Sequence, residues 1–276
     1  MTLTVADLFP EDKAVRVRLV WGARRETAEQ VAARILPMLD LFRGRFDAAE
    51  MRWHGRALVF REAADFADPS ALGRAIESFR ERDAPDSPFS TGTSKTQFRL
   101  YADTDAKEAL FSLDVTAGRN LGPRPNEISL KLPPDFTIGT PDEASAWFRK
   151  LIRIWEPETA SLTSWEVHDR VSERRTRLGL PGHASFREPA VGYLNWFSRT
   201  AYGRLPFPIA AAAVQNYPDG TLITVRDWRA PAVADLYAEL QVMGMLHRPP
   251  AVQVLSPPVR DGQEPDTDVK GSHGGN

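Results

Sequence analysis

The chain has 276 residues, with 35 basic and 37 acidic side chains and a formal net charge of -2. That length is enough for a sizeable core in one large domain or two small ones, and the charge balance lacks the basic excess of a non-specific nucleic-acid binder. Cysteine is absent, which removes disulfides, cysteine zinc sites and cysteine nucleophiles.

The N-terminal stretch MTLTVADLFPEDK has no apolar core and does not read as a secretory signal. No apolar run approaches the roughly 20 residues of a membrane helix. The expected compartment is the cytoplasm, with no membrane association.

Val15, Val17, Leu19 and Trp21 alternate with Arg16, Arg18 and Val20, the period of a strand with one buried face. A helix is expected next, with Ala28, Val31, Ala32, Ile35, Leu36, Leu39 and Phe42 on one stripe. Thr27 and Gln30 have capping-box spacing, and Pro37 is expected to kink or divide the helix. Met51–Phe60 reads as extended. Asp68 as N-cap and Pro69 at the first position predict a helix to about Arg82.

The segment Ala84–Ser94 reads as a loop. Three strands are predicted over Thr96–Asp103, Glu108–Gly118 and Asn126–Pro133, the first two joined as an antiparallel hairpin. Thr140, Pro141 and Glu143 then open the clearest helix, which runs to Trp155. Its stripe of Ala144, Trp147, Phe148, Leu151, Ile152 and Trp155 marks it as a core element.

Beyond it, Ser164–Val171 reads as a strand and the arginine-rich Ser172–Pro189 as a loop. For the middle of Ala190–Pro206 a helix is preferred over a strand. Pro218-Asp219-Gly220 supplies the turn of a hairpin over Ala211–Asp227, and Pro231 opens a last helix. Clustered strands and hairpins between helices predict an α+β fold. Its sheet is mixed or largely antiparallel, with amphipathic helices packed on it in a single compact domain. Residues 1–13 are an N-terminal segment, 14–250 the domain, and 251–276 a disordered Pro/Gly/Asp-rich tail.

Chemistry-bearing patterns are sparse. The segment VWGARRET places one glycine between a strand and a helix, where an anion can bind weakly, but neither phosphate-loop signature is present. TGTSK (Thr91–Lys95) also lacks the spacing of a nucleotide loop. The D-x-K string in DTDAK (Asp103–Lys107), which a metal-dependent nuclease would hold in a buried strand, falls in a hairpin turn. No two of the five histidines have zinc-ligand spacing. On a strand, Glu166 and His168 would share a face compatible with acid–base work. These patterns call for no cofactor and no metal, and they favour a binder over an enzyme.

In order along the chain come Trp21-Gly22-x-Arg24-x-Glu26, the Ala28–Phe42 helix, NEISLKLP, and a helix ending in Trp155-Glu-Pro-Glu158. Gly192-Tyr193-Leu194 within VGYLNWFSR, Leu205-Pro206, the Gly220 hairpin and a last helix ending in GML follow. On these landmarks the chain resembles the immunity protein 52 family of bacterial polymorphic toxin systems, across most of Val15–Leu246. The chain departs from the pattern at Val20 and Tyr193. The resemblance implies a non-enzymatic protein that binds and neutralises a cognate toxin in the cytoplasm. That toxin is frequently a restriction-endonuclease-like nuclease, in a setting such as type VI secretion.

The landmark residues are expected to be mainly structural. The expected toxin contacts are Arg119, Arg124, Glu166, Asp169, Arg174, Arg175 and Arg177, with no direct nucleic acid, in a monomer or small homo-oligomer. The rival readings are a metal-dependent nuclease, a hydrolase using Glu166 and His168, and a structural secretion-system component.

Overall fold

A computed structural model describes residues 3–10, 14–42, 45, 52–55, 69–78, 80–81, 95–103, 111–118, 125–182, 188–205 and 208–247. The tail 251–276, the loop 84–94 and the DTDAK turn beyond Asp103 lie outside these residues, as do Arg119, Arg124 and His183.

Strands β1 (Val15–Trp21), β2 (Arg52–Gly55), β3 (Arg80–Glu81), β4 (Lys95–Asp103), β5 (Phe111–Ala117), β6 (Asn126–Leu132), β7 (Thr159–Ser164), β8 (Leu194–Ser198), β9 (Ala212–Tyr217) and β10 (Gly220–Val225) make one ten-stranded sheet. Its order is β2-β4-β5-β6-β1-β7-β8-β10-β9, with β3 pairing to β4, and every pairing among the described residues is antiparallel. The helices are α1 (Val5–Leu8), α2 (Ala28–Asp40), α3 (Pro69–Ser78), α4 (Pro141–Trp155), α5 (Trp165–Arg177), α6 (Arg199–Tyr202) and α7 (Ala230–Val242). The architecture is α+β, as the pattern of the chain predicts.

The alternation in β1 sets the core. Val15, Val17, Leu19 and Trp21 are buried and stand in register with Leu132, Leu130, Ile128 and Asn126 of β6. Helices α2 and α4 close this face. The Trp21 and Trp155 ring centroids are 5.6 Å apart, and the Trp155 indole donates to the Met38 sulfur. Both predicted capping boxes form, Thr27 with Gln30 and Thr140 with Glu143. Helix α2 is not divided at Pro37. It continues to Asp40, held by the buried side chains of Met38 and Leu39.

Two stretches fold otherwise than their sequence suggests. Ser164–Val171 is not a strand, and the arginine run after it is not a loop. Ser164 ends β7 and caps α5, which extends to Arg177. Good helix formers and the ion pairs Glu166–Arg170 and Glu173–Arg177 sustain it. The apolar stripe that reveals a helix is nearly missing, because only Val167 and Arg175 are buried. Conversely, the middle of Ala190–Pro206 is strand β8, followed by the single turn α6. Every β8 residue is buried on both faces, so its apolar run has no period that distinguishes strand from helix.

Candidate protein-interaction surface

The landmarks Trp21, Gly22, Arg24, Glu26 and Trp155 converge at one end of the sheet, where the β1–α2 loop meets the last turn of α4. The Arg24 guanidinium lies 4.9 Å from the Trp21 ring and donates to the Trp155 carbonyl at 3.0 Å. Arg34 donates to the Ile154 carbonyl and, at 3.1 Å, to Glu156. Two arginines thus satisfy the C-terminal carbonyls of α4, complementing its dipole.

The nearly buried Glu26 carboxylate is 3.2 Å from both Arg24 and Arg34. Burial pushes the Arg24 guanidinium below its ordinary value, and Glu26 opposes that shift. The Gly22 N–H donates to the Glu158 carboxylate at 2.9 Å. The donor that an anion would need is therefore occupied, and this end of the sheet is an internal clasp.

Gly192, Tyr193, Leu194 and Gly220 are likewise structural. A Cβ on Gly192 would stand 2.0 Å from the Leu162 carbonyl oxygen, and one on Gly220 would stand 2.4 Å from the Phe197 oxygen. The Asn195 side chain accepts from the Gly192 N–H and donates to its carbonyl, each at 2.7 Å. Tyr193 and Leu194 are buried.

The remaining candidates gather on α5. Asp169, Glu173 and Arg177 are exposed on its outer side, with Glu166 beside them. Arg174 leans inward onto Asp235 of α7 at 3.1 Å. Arg175, expected on an exposed loop, is only 4% exposed. Its guanidinium donates to the Pro181 carbonyl at 2.7 Å, to the Tyr237 hydroxyl at 2.6 Å and to the Glu188 carboxylate. The helix turns Arg175 inward, where it joins α5 to α7 and to the segment around Glu188, so a partner cannot reach it. The helix also separates Glu166 from His168, which lie about 200° apart around its axis. His168 instead meets Trp165 at 5.5 Å between ring centroids. The acid–base pair that a strand would have assembled is not formed.

Trp165 is a surface residue that its sequence context does not announce. It is 59% exposed, beside the N-cap of a helix whose other exposed side chains are all polar. Its signal was present in the Ser164-Trp165-Glu166 step. Read as a strand, that step gave no reason to place the indole outside.

Among the described residues, no group of three or more His, Cys, Asp or Glu could hold a metal ion. No described helix is long and apolar enough to cross a membrane. The fold is similar to that of a Pseudomonas aeruginosa protein described as T6SS protein PA0821. The two share 14% identity over 85% of this chain and 76% of that one, with a TM-score of 0.51. No family model matches the chain, and no curated protein matches it in sequence. At that identity the likeness is one of fold.

Proposed function

We propose that this chain is an immunity protein. It binds a cognate bacterial toxin of the restriction-endonuclease-like nuclease class by direct contact, in the cytoplasm of the producing cell. The ordered landmarks of the sequence support this reading. So does a fold shared with a protein whose description names type VI secretion.

The observation that carries the reading is Trp165. An indole left in water forgoes the free energy of burying a large apolar surface. Tryptophan is also among the residues most enriched as anchors of protein interfaces. Asp169 beside it has no ion-pair partner among the described residues, and Arg177 projects from the far end of the same helix. An aromatic anchor with charges of both signs around it suits a partner surface that is polar at its rim.

The test is co-purification with the product of the adjacent reading frame. The native chain is expected to retain it and to suppress its toxicity. The W165A/D169K variant is expected to bind at least about 30-fold more weakly, the loss of one anchor of about 2 kcal/mol. Its helical signal and melting midpoint should stay unchanged. Undiminished binding by a folded W165A/D169K would remove α5 from the interface. A neighbouring product that neither binds nor harms cells would refute the immunity reading itself.

A further inference from the structure

Apart from Val20, the sheet face turned away from α2 and α4 is polar across β5, β6 and β1. Every described side chain on it in these three strands is at least partly exposed. One cross-strand row on this face is out of balance. The register sets Ser112 opposite Lys131, Lys131 opposite Arg16, and Arg16 opposite Thr163. Two cations therefore sit side by side on adjacent antiparallel strands, with a hydroxyl on either flank.

Directly opposed side chains have Cβ atoms roughly 5 Å apart, and like charges at that spacing are destabilising. Elsewhere on this face a charge has its counterpart. Arg18 holds Glu127 through two parallel bonds of 2.8 and 2.9 Å. Arg16 and Lys131 form no ion pair or side-chain hydrogen bond among the described residues. No described residue supplies a carboxylate in ion-pair contact with either of them.

We propose that the Arg16–Lys131 row is a binding site for paired carboxylates on an acidic segment of another protein. Two carboxylates about 5–6 Å apart match the two cations, the spacing of acidic residues three or four apart on a helix. The serine and threonine hydroxyls can donate to the outer oxygens. Nucleic acid fits less well. Its phosphates need a continued track of cations, and within β5, β6 and β1 this row holds two. The next row along the strands carries the neutralised Arg18 and the acidic Asp114.

The probe is a 15-residue poly-L-glutamate peptide at low ionic strength, measured by fluorescence anisotropy against the full chain. The native chain is expected to bind it despite its own net negative charge. The R16S/K131S variant should bind at least about tenfold more weakly, the loss of charge-assisted hydrogen bonds. Its melting midpoint should hold or rise, because the repulsion is gone. The W165A variant should bind the peptide as the native chain does, so this inference and the α5 reading fail separately. The inference is overturned by equal binding of the double variant, by a fall in its midpoint, or by a single-stranded 15-mer DNA that outcompetes the peptide.

Discussion

Removing Arg175 tests whether the densest basic run of the sequence serves the interior. Replacement by methionine keeps the aliphatic stem and deletes the charge. Glu188, whose side chain is 14% exposed, then keeps a carboxylate with no cation beside it among the described residues. Stripping one partner from a largely buried ion pair costs about 3–5 kcal/mol. The Pro181 carbonyl also loses its donor, worth about 1 kcal/mol. The Tyr237 hydroxyl keeps a partner, since it donates to Glu188 at 2.9 Å.

The expected loss for R175M is therefore about 4 kcal/mol, at the lower end because Glu188 is not wholly dry. With a urea slope of about 2 kcal/mol per molar, the denaturation midpoint should fall by about 2 M. R175M/E188L should recover most of that loss, because well-packed apolar residues replace a buried pair at little net cost. A loss under about 1 kcal/mol for R175M, or a double variant no more stable than the single one, would refute the buried-pair argument.

Tyr237 is pushed up to about 12, first by burial and then by its bond to Glu188. An unfolded chain loses this proton near the ordinary value of about 10, so folding stability should fall as pH rises from about 10 towards 12. Urea midpoints of the native chain should drop more steeply over that window than those of Y237F, and parallel curves would contradict the assignment. Gly192→Ala should destabilise by about 3 kcal/mol or more, because the new methyl meets backbone that cannot swing aside; wild-type melting of this variant would show that the Leu162 contact is not fixed. Trp165→Ala alone should shift stability by less than about 0.5 kcal/mol in calorimetry, since no core packing is lost. A large shift would place the indole in a structural contact.

How far the fold could be read from the sequence tracked how one-sided each element is. β1 and β6 bury one face and wet the other, so their period of two was visible. α2 and α4 have buried stripes and side-chain caps. β8 buries both faces and α5 buries almost nothing, and in each case the contrast that makes a period was absent. The candidate surface was hidden for the same reason. Its charged residues could be named from the sequence. Only the helical geometry of α5 puts Arg175 inside and Trp165 outside. The Arg16–Lys131 row was less legible still. It joins residues 115 positions apart in the chain, and the strand register alone brings them together.

The residues that carry the family resemblance have little left to offer a partner. Gly22 gives its N–H to Glu158, Arg24 is engaged by Glu26 and the Trp155 carbonyl, and Gly192 is pressed against the Leu162 carbonyl. Each is held by the interior. A chain can therefore keep all of these landmarks and specify the scaffold without specifying what it binds. Under the proposed function, partner choice rests on groups with unused binding capacity, and these sit elsewhere: the Trp165 indole, the Asp169 carboxylate and the Arg16–Lys131 pair. It follows that exchanging the outer face of α5 should move partner preference while leaving the fold intact. Altering the Arg24–Glu26 clasp should do the reverse, lowering stability without redirecting binding. A clasp variant that melts like the native chain yet loses its partner would show that the landmarks reach the interface after all.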